Sequence, residues 1–194
     1  MIVRPTPLPG VVIVEGSAFR DERGLLRELL SEAHAAAGLP TFVQDNLLVT
    51  VRGAIRGLHL QHPCEQGKLV STLLGEVFDV ALDVRRGSPT FGRWFGARIS
   101  AARAQQLYLP PGFAHGLQGL SAEPSVVVYK CTAPYAPEHE LAIRWDDPAL
   151  GIEWPLRPPI LSERDGAAPC LGEIAPDRLP LMDGAPAASP VIGP

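Results

Sequence analysis

Short apolar runs broken by turn residues dominate the chain. Segments 11–14, 47–51, 69–73, 77–84, 94–99, 106–109, 125–130 and 141–145 are mostly too short for helices, and Gly75, Gly87-Ser88-Pro89 and Pro110-Pro111-Gly112 separate several of them. About eight strands at this spacing predict an all-β sandwich or barrel. One helix is signalled, with Ser31 as N-cap, Glu32 in its first turn, an Ala-rich run, and Gly38 as the stop; it reads as peripheral. Hydrophobic periodicity disappears after residue 167, where Pro and Ala are frequent. The chain therefore reads as a single domain over 1–167 followed by an irregular tail over 168–194.

Within 77–84 the strand period puts Asp79, Ala81 and Asp83 on one face and Phe78, Val80 and Leu82 on the other. Taken alone, the carboxylate face reads as a solvent face; inside a closed barrel the same carboxylates would partner buried cations. The length of 194 residues, with 46% hydrophobic and 20% charged positions, suffices for one well-buried core. A net charge of −4 and no basic run longer than Arg85-Arg86 leave no electrostatic footprint for nucleic acid or an anionic membrane. Any phosphate must be met locally. The longest stretch free of Asp, Glu, Lys and Arg, 104–122, holds Gln105, Gln106, Pro110, Pro111 and His115, so no membrane span is expected. The opening MIVRPTPLPG lacks the apolar helix of a signal peptide, and Cys64, Cys131 and Cys170 are odd in number and widely spaced. Reduced thiols in a cytoplasmic protein are the expectation.

The densest polar segment runs from Arg56 to Lys68. If it enters a strand, His59 and Gln61 share a face with Arg56 close by, and a second histidine, His115, follows the rigid turn at 110–112. Two histidines on sheet elements could ligate a metal. A sheet-borne metal site, however, usually offers two His one residue apart with a Glu soon after. Here position 61 is Gln, His62 would point away from His59, and Glu65 sits near a Gly turn, so no metal is expected.

Nine motifs then appear in a fixed order: FRDERG (19–24), FVQDN (42–46), RGLH (56–59), QGKLV (66–70), VFDV (77–80), GSPTFG (87–92), GFAHG (112–116), Tyr129-Lys130 with Tyr135, and LSERD (161–165). In this order and spacing the chain resembles the dTDP-4-dehydrorhamnose 3,5-epimerase family, in register from about residue 10 to about residue 166. The resemblance implies an all-β, cupin-type double-stranded β-helix (jelly roll) with a few short peripheral helices, no metal and no cofactor. It also implies a homodimer and a dTDP-linked 4-keto-6-deoxyhexose substrate, inverted at C5 and C3 in deoxysugar biosynthesis. Inversion beside a ketone needs a base for the α-proton, stabilisation of the enolate, and an acid on the opposite face. A monofunctional 3- or 5-epimerase and a non-catalytic sugar-nucleotide-binding cupin are the alternatives.

By the same resemblance His59 is the general base, Asp165 the carboxylate that orients it, and Lys68 the cation near the C4 oxygen. Asp83, on its alternating strand, is the expected partner of Lys68. Tyr129 is the proton donor, a role suited to a phenol whose reference pKa is about 10, and Tyr135 stacks on thymine. Arg23, Arg56, His115 and Arg164 match positions around the diphosphate; Glu28, Gln44, Asn46 and Glu140 match contacts to nucleotide or sugar. Glu28, near an N-terminal strand, is expected to reach into the neighbouring subunit's site. The chain departs from the family pattern at Leu25, Leu26 and Leu30, where aromatics are usual, at Leu47-Leu48, where His and Ser are, at Leu60, where Tyr is common, and at Arg164, which replaces Lys.

Overall fold

The structure, a computed structural model, describes residues 1–182. Strands β1 (Ile2–Pro5) and β2 (Val12–Glu15) lead into a hairpin of β3 (Ala18–Asp21) and β4 (Gly24–Arg27), then helix α1 (Glu32–Ala36). Next come β5 (Gln44–Thr50), β6 (Ile55–Gln61), β7 (Lys68–Leu74), β8 (Glu76–Asp83) and β9 (Trp94–Ser100). After β10 (Gln105–Leu109), β11 (Phe113–Gly119), β12 (Ser125–Cys131) and β13 (Glu140–Ala142), helix α2 (Glu163–Gly166) precedes two short 3₁₀ turns.

Two antiparallel sheets face each other, one ordered β1-β2-β10-β7-β12-β5 and the other β13-β6-β11-β8-β9. From β5 to β8 and again from β9 to β13 the chain switches sheet at every strand. This is the jelly roll that the resemblance implied, and it brings residues far apart in sequence into one interior.

The core has two layers. Between the sheets pack Val70, Val77, Ala81, Leu107, Phe113, Leu117 and Val127. Outside the five-stranded sheet, Leu58, Leu60, Val80, Leu82 and Ala114 meet Trp145, Trp154, Leu171, Ile174 and Leu179 from the C-terminal part of the chain. Each fully buried Leu or Ile contributes about 1.5–3 kcal/mol on transfer from water. Segment 168–182 is irregular, as expected, but it is wound tightly onto the sheet instead of loosely on the surface. The rest of the expected tail, 183–194, lies outside the described residues.

That outer layer also decides between the two readings of 77–84. Phe78, Val80 and Leu82 face the outer layer, whereas Asp79, Ala81 and Asp83 face the barrel interior, fully buried. The solvent-face reading is overturned because β8 is covered on both sides.

The helix forms where its caps predict. The Ser31 backbone N–H donates to His34 Nδ1 at 3.0 Å, and Gly38 takes φ +85° after the last turn. The final expected strand, 141–145, is shortened to β13, since the Arg144 N–H turns away to the Pro169 carbonyl.

Candidate active site

The site begins with a close approach of β6 and β11. Gly57 has φ +121°, and a Cβ there would lie 2.6 Å from Gly116 Cα and from the His115 carbonyl oxygen, so only glycine allows the two strands to meet. A register irregularity between His115 and Leu117 accompanies the contact, and His59 and His115 become direct cross-strand partners. Their imidazoles line one wall of a cleft of about 180 Å³, with Arg56 of β6 and Glu140 of β13. Lys68 of β7 and Tyr129 of β12 form the facing wall, from the six-stranded sheet.

Each histidine is held by a buried carboxylate. His59 Nε2 lies 2.7 Å from Asp165 Oδ1, while the Gly57 N–H donates to Asp165 Oδ2 at 3.3 Å. Asp165 is brought there by α2, whose N-cap Ser162 accepts the Asp165 N–H at 3.1 Å. Burial alone would raise the Asp165 pKa, but contact with His59, the Gly57 N–H and Ser162 outweighs it and holds the carboxyl below its ordinary value. With Nε2–H given to Asp165, Nδ1 of His59 is the nitrogen left to accept a proton. The second pair joins His115 Nε2 to Asp79 Oδ1 at 2.6 Å. Asp79 Oδ2 is buried with no hydrogen-bond partner among the described residues.

Opposite them, burial pushes the Lys68 ammonium below the usual lysine pKa, an effect opposed by Cys131, Glu140 and Asp79. Its Nζ lies 5.9 Å from the centre of the Tyr129 ring. Burial likewise raises the Tyr129 phenol above its ordinary pKa, reinforced by Cys131 and Glu140, so it stays protonated at neutral pH. The cleft thus sets a proton acceptor on one sheet against a protonated phenol and the Lys68 amine on the other.

Asp83 is not part of this arrangement. Its carboxylate accepts from Arg85 Nε at 2.9 Å, Arg85 Nη2 at 2.7 Å, and the Ser88 and Thr90 hydroxyls at 2.6 Å each, tying the 83–93 turn together. Four residues along a strand amount to about 13 Å, and it is Asp79, two strand repeats away from Asp83, whose charge reaches Lys68. The alternation of Asp79 and Asp83 was the signal in the sequence, and the wrong member was paired with the lysine.

A rim of polar groups continues from the cleft. Glu140 Oε2 accepts from the Tyr135 hydroxyl at 2.8 Å and also binds Arg164; Gln44 Oε1 accepts the Tyr135 N–H at 2.8 Å, and Gln44 Nε2 donates to Asn46 Oδ1 at 3.0 Å. Burial works against ionisation of Glu140, yet Arg164 and Tyr135 outweigh it and keep its pKa low. A second opening, about 420 Å³, lies behind His59 and Asp165 and carries Arg56 and Arg164. Arg23 and Glu28 do not join either opening. Arg23 sits 85% exposed on the β3–β4 hairpin, paired with Asp21, and Glu28 is exposed just beyond it. Leu48 and Leu117, which the sequence did not single out as lining residues, complete the cleft. Among the described residues no three His, Cys, Asp or Glu side chains cluster as metal ligands would, and no helix is long and apolar enough to cross a membrane.

Residues 5–173 match the family model of dTDP-4-dehydrorhamnose 3,5-epimerase. A dTDP-4-dehydrorhamnose 3,5-epimerase of Pseudomonas aeruginosa is 51% identical over 162 residues, covering 81% of this chain and 89% of the relative. The crystal structure of a dTDP-6-deoxy-D-glucose-3,5-epimerase from Legionella pneumophila Philadelphia 1, in complex with dTDP-4-keto-L-rhamnose, superposes with a TM-score of 0.89 at 43% identity. The match covers 93% of this chain and 98% of that one. A 3′-monoepimerase from Streptomyces bikiniensis in complex with dTDP-quinovose gives 0.82 at 36% identity, over 91% and 92% of the two chains. Motifs and jelly roll agree with these matches, and the chain belongs to the dTDP-4-dehydrorhamnose 3,5-epimerase family.

Proposed function

We propose that this isomerase inverts C5 and C3 of dTDP-4-dehydro-6-deoxy-D-glucose, giving dTDP-4-dehydro-L-rhamnose. The observation that carries the reading is the placement of His59 and Tyr129 on opposite sheets across one cleft. His59 Nδ1 takes the proton alpha to the C4 ketone, and Asp165 steadies the imidazolium that forms. Lys68 offers positive charge to the C4 oxygen as the enolate develops. Tyr129 returns a proton from the other side, and the carbon emerges inverted. Tyr135, with Gln44, Asn46 and Glu140 behind it, receives the nucleotide base, and Arg56 and Arg164 the diphosphate. Incubation with the 4-keto sugar nucleotide in deuterated water, read by NMR, tests the reaction: deuterium and inversion at both C3 and C5 are expected. Label at C3 alone would give the narrower activity named for the Streptomyces bikiniensis relative.

Two copies share each site in this reading. The hairpin that carries Arg23 stands clear of its own cleft, with Phe19 and Leu26 exposed, as a segment meant for a neighbour would. In this reading the reaction needs no metal, since position 61, where a second ligand would stand, is a Gln whose amide donates to the Cys64 and Pro134 carbonyls; full activity after exhaustive chelation is expected, and loss restored by one metal would overturn it. Three free cysteines support a cytoplasmic setting.

A further inference from the structure

Two residues beyond His59, β6 carries Gln61, buried on the same side of the strand as His59, while Leu58 and Leu60 face the outer core layer. Its amide is bonded in three directions. Nε2 donates to the Cys64 carbonyl and, at 3.0 Å, to the Pro134 carbonyl, and Oε1 accepts the Ala136 N–H at 3.1 Å. Two carbonyls and one N–H fix which way the amide points. Between Pro134 and Ala136 lies Tyr135, so Gln61 grips the chain on both sides of it. Gln44 takes the Tyr135 N–H, and Glu140, the cross-strand partner of Gln61, takes its hydroxyl. Lower in the same loop, Gln66 Nε2 donates to the Ala133 carbonyl at 2.8 Å. Of these supports Gln61 is the one that stands on the strand of His59. Two residues along a strand span about 6.6 Å, so a short stretch of β6 fixes the tyrosine loop relative to the imidazole. Gln61 does not line the cleft itself, and whatever it does for the sugar passes through that loop.

We propose that Gln61 is a positioning residue that ties the Tyr135 loop to β6, so that a nucleotide base seated on Tyr135 delivers the sugar to His59. The proposal rests on the function given above. It makes part of the binding energy of the nucleotide appear as kcat and not as affinity. It also gives the residue that stands in place of a metal ligand a task of its own.

The test measures kcat by deuterium exchange at saturating 4-keto sugar nucleotide, and the Kd of dTDP by calorimetry. Gln61→Met fills similar space without the three hydrogen bonds. It should lower kcat on the order of 10–100-fold, the cost of a reacting carbon misplaced by about 1 Å, and leave the Kd of dTDP within about threefold. An unchanged kcat, or weaker dTDP binding with kcat intact, overturns the positioning role and leaves the epimerase reading standing. A wild type without exchange overturns both. A double-mutant cycle separates action through the loop from damage to the base. On a Tyr135→Ala background Gln61→Met should bring no further loss of kcat, whereas an additive loss would show that Gln61 acts on β6 alone and would refute the proposal. Should Gln61→Met not fold, Gln61→Asn, which keeps the amide one methylene shorter, carries the same test. It should lower kcat about tenfold at retained dTDP affinity, and a kcat equal to wild type overturns the role.

Discussion

At the scale of single residues, the chemistry turns on which atoms are already spoken for. His59 gives Nε2–H to Asp165 and keeps Nδ1 free, so a change at either residue should be felt as lost proton abstraction and not as lost binding. His59→Ala should reduce solvent exchange at every carbon by about 10²–10⁴-fold, with the far-ultraviolet spectrum unchanged. Exchange within tenfold of wild type would remove His59 from the role. Tyr129→Phe should behave differently: abstraction and wash-in from the histidine side persist while inversion fails, because the phenol opposite is missing. Comparing deuterium uptake with the optical configuration of the product separates the two steps, and normal inversion in this variant would make Tyr129 a packing residue.

At the scale of elements, the strands that the sequence revealed are those with one apolar face or a β-branched run, such as β12 with Val126, Val127 and Val128. The two that carry the histidines were harder. Every residue of β11 is buried, and β6 carries Gly57 amid polar positions, so neither alternates. Their motifs exposed the chemistry while their periodicity concealed the strand. The exposed β3–β4 hairpin and the Pro-flanked β1 escaped for the opposite reason, since neither buries a face of its own. Asp83 shows where alternation runs out: it fixes the face of a residue and not its neighbour along the strand. Asp83→Asn should destabilise the fold by about 3 kcal/mol, as breaking a buried ion pair does, yet leave kcat near wild type. Burial alone would raise the Asp83 pKa, but Arg85, Ser88 and Thr90 outweigh it and hold the carboxyl low. Its contribution is therefore complete above the unfolded carboxyl pKa of about 3.9 and is lost as pH falls through the folded value. Acid titration of stability should be flatter in Asp83→Asn than in wild type. A large loss of kcat at intact stability would instead return Asp83 to the site.

At the scale of the whole molecule, β5 is an edge strand whose outward face carries Leu47 and Val49, with Val51 just past its end; the three are 65%, 52% and 48% exposed. Such an edge invites a partner. On the proposed shared site, Leu47→Lys should shift sedimentation from dimer to monomer and lower kcat/KM, since a neighbour's Arg23 and Glu28 would then leave the site; a monomeric wild type would dismiss the shared site. The strand order has another outcome, in time. Glu15 meets Gln105, and Asp45 meets Lys130, so the six-stranded sheet cannot close until β10 and β12 exist. Pairings this distant fold slowly. Asp165 arrives later still, after every strand of both sheets. A chain leaving the ribosome thus acquires the proposed base, cation and acid before the carboxylate proposed to direct the base. Catalytic competence is among the last things synthesis delivers, and the unfinished sheet, with edges of β2, β5 and β7 still open, is the stage most exposed to mispairing.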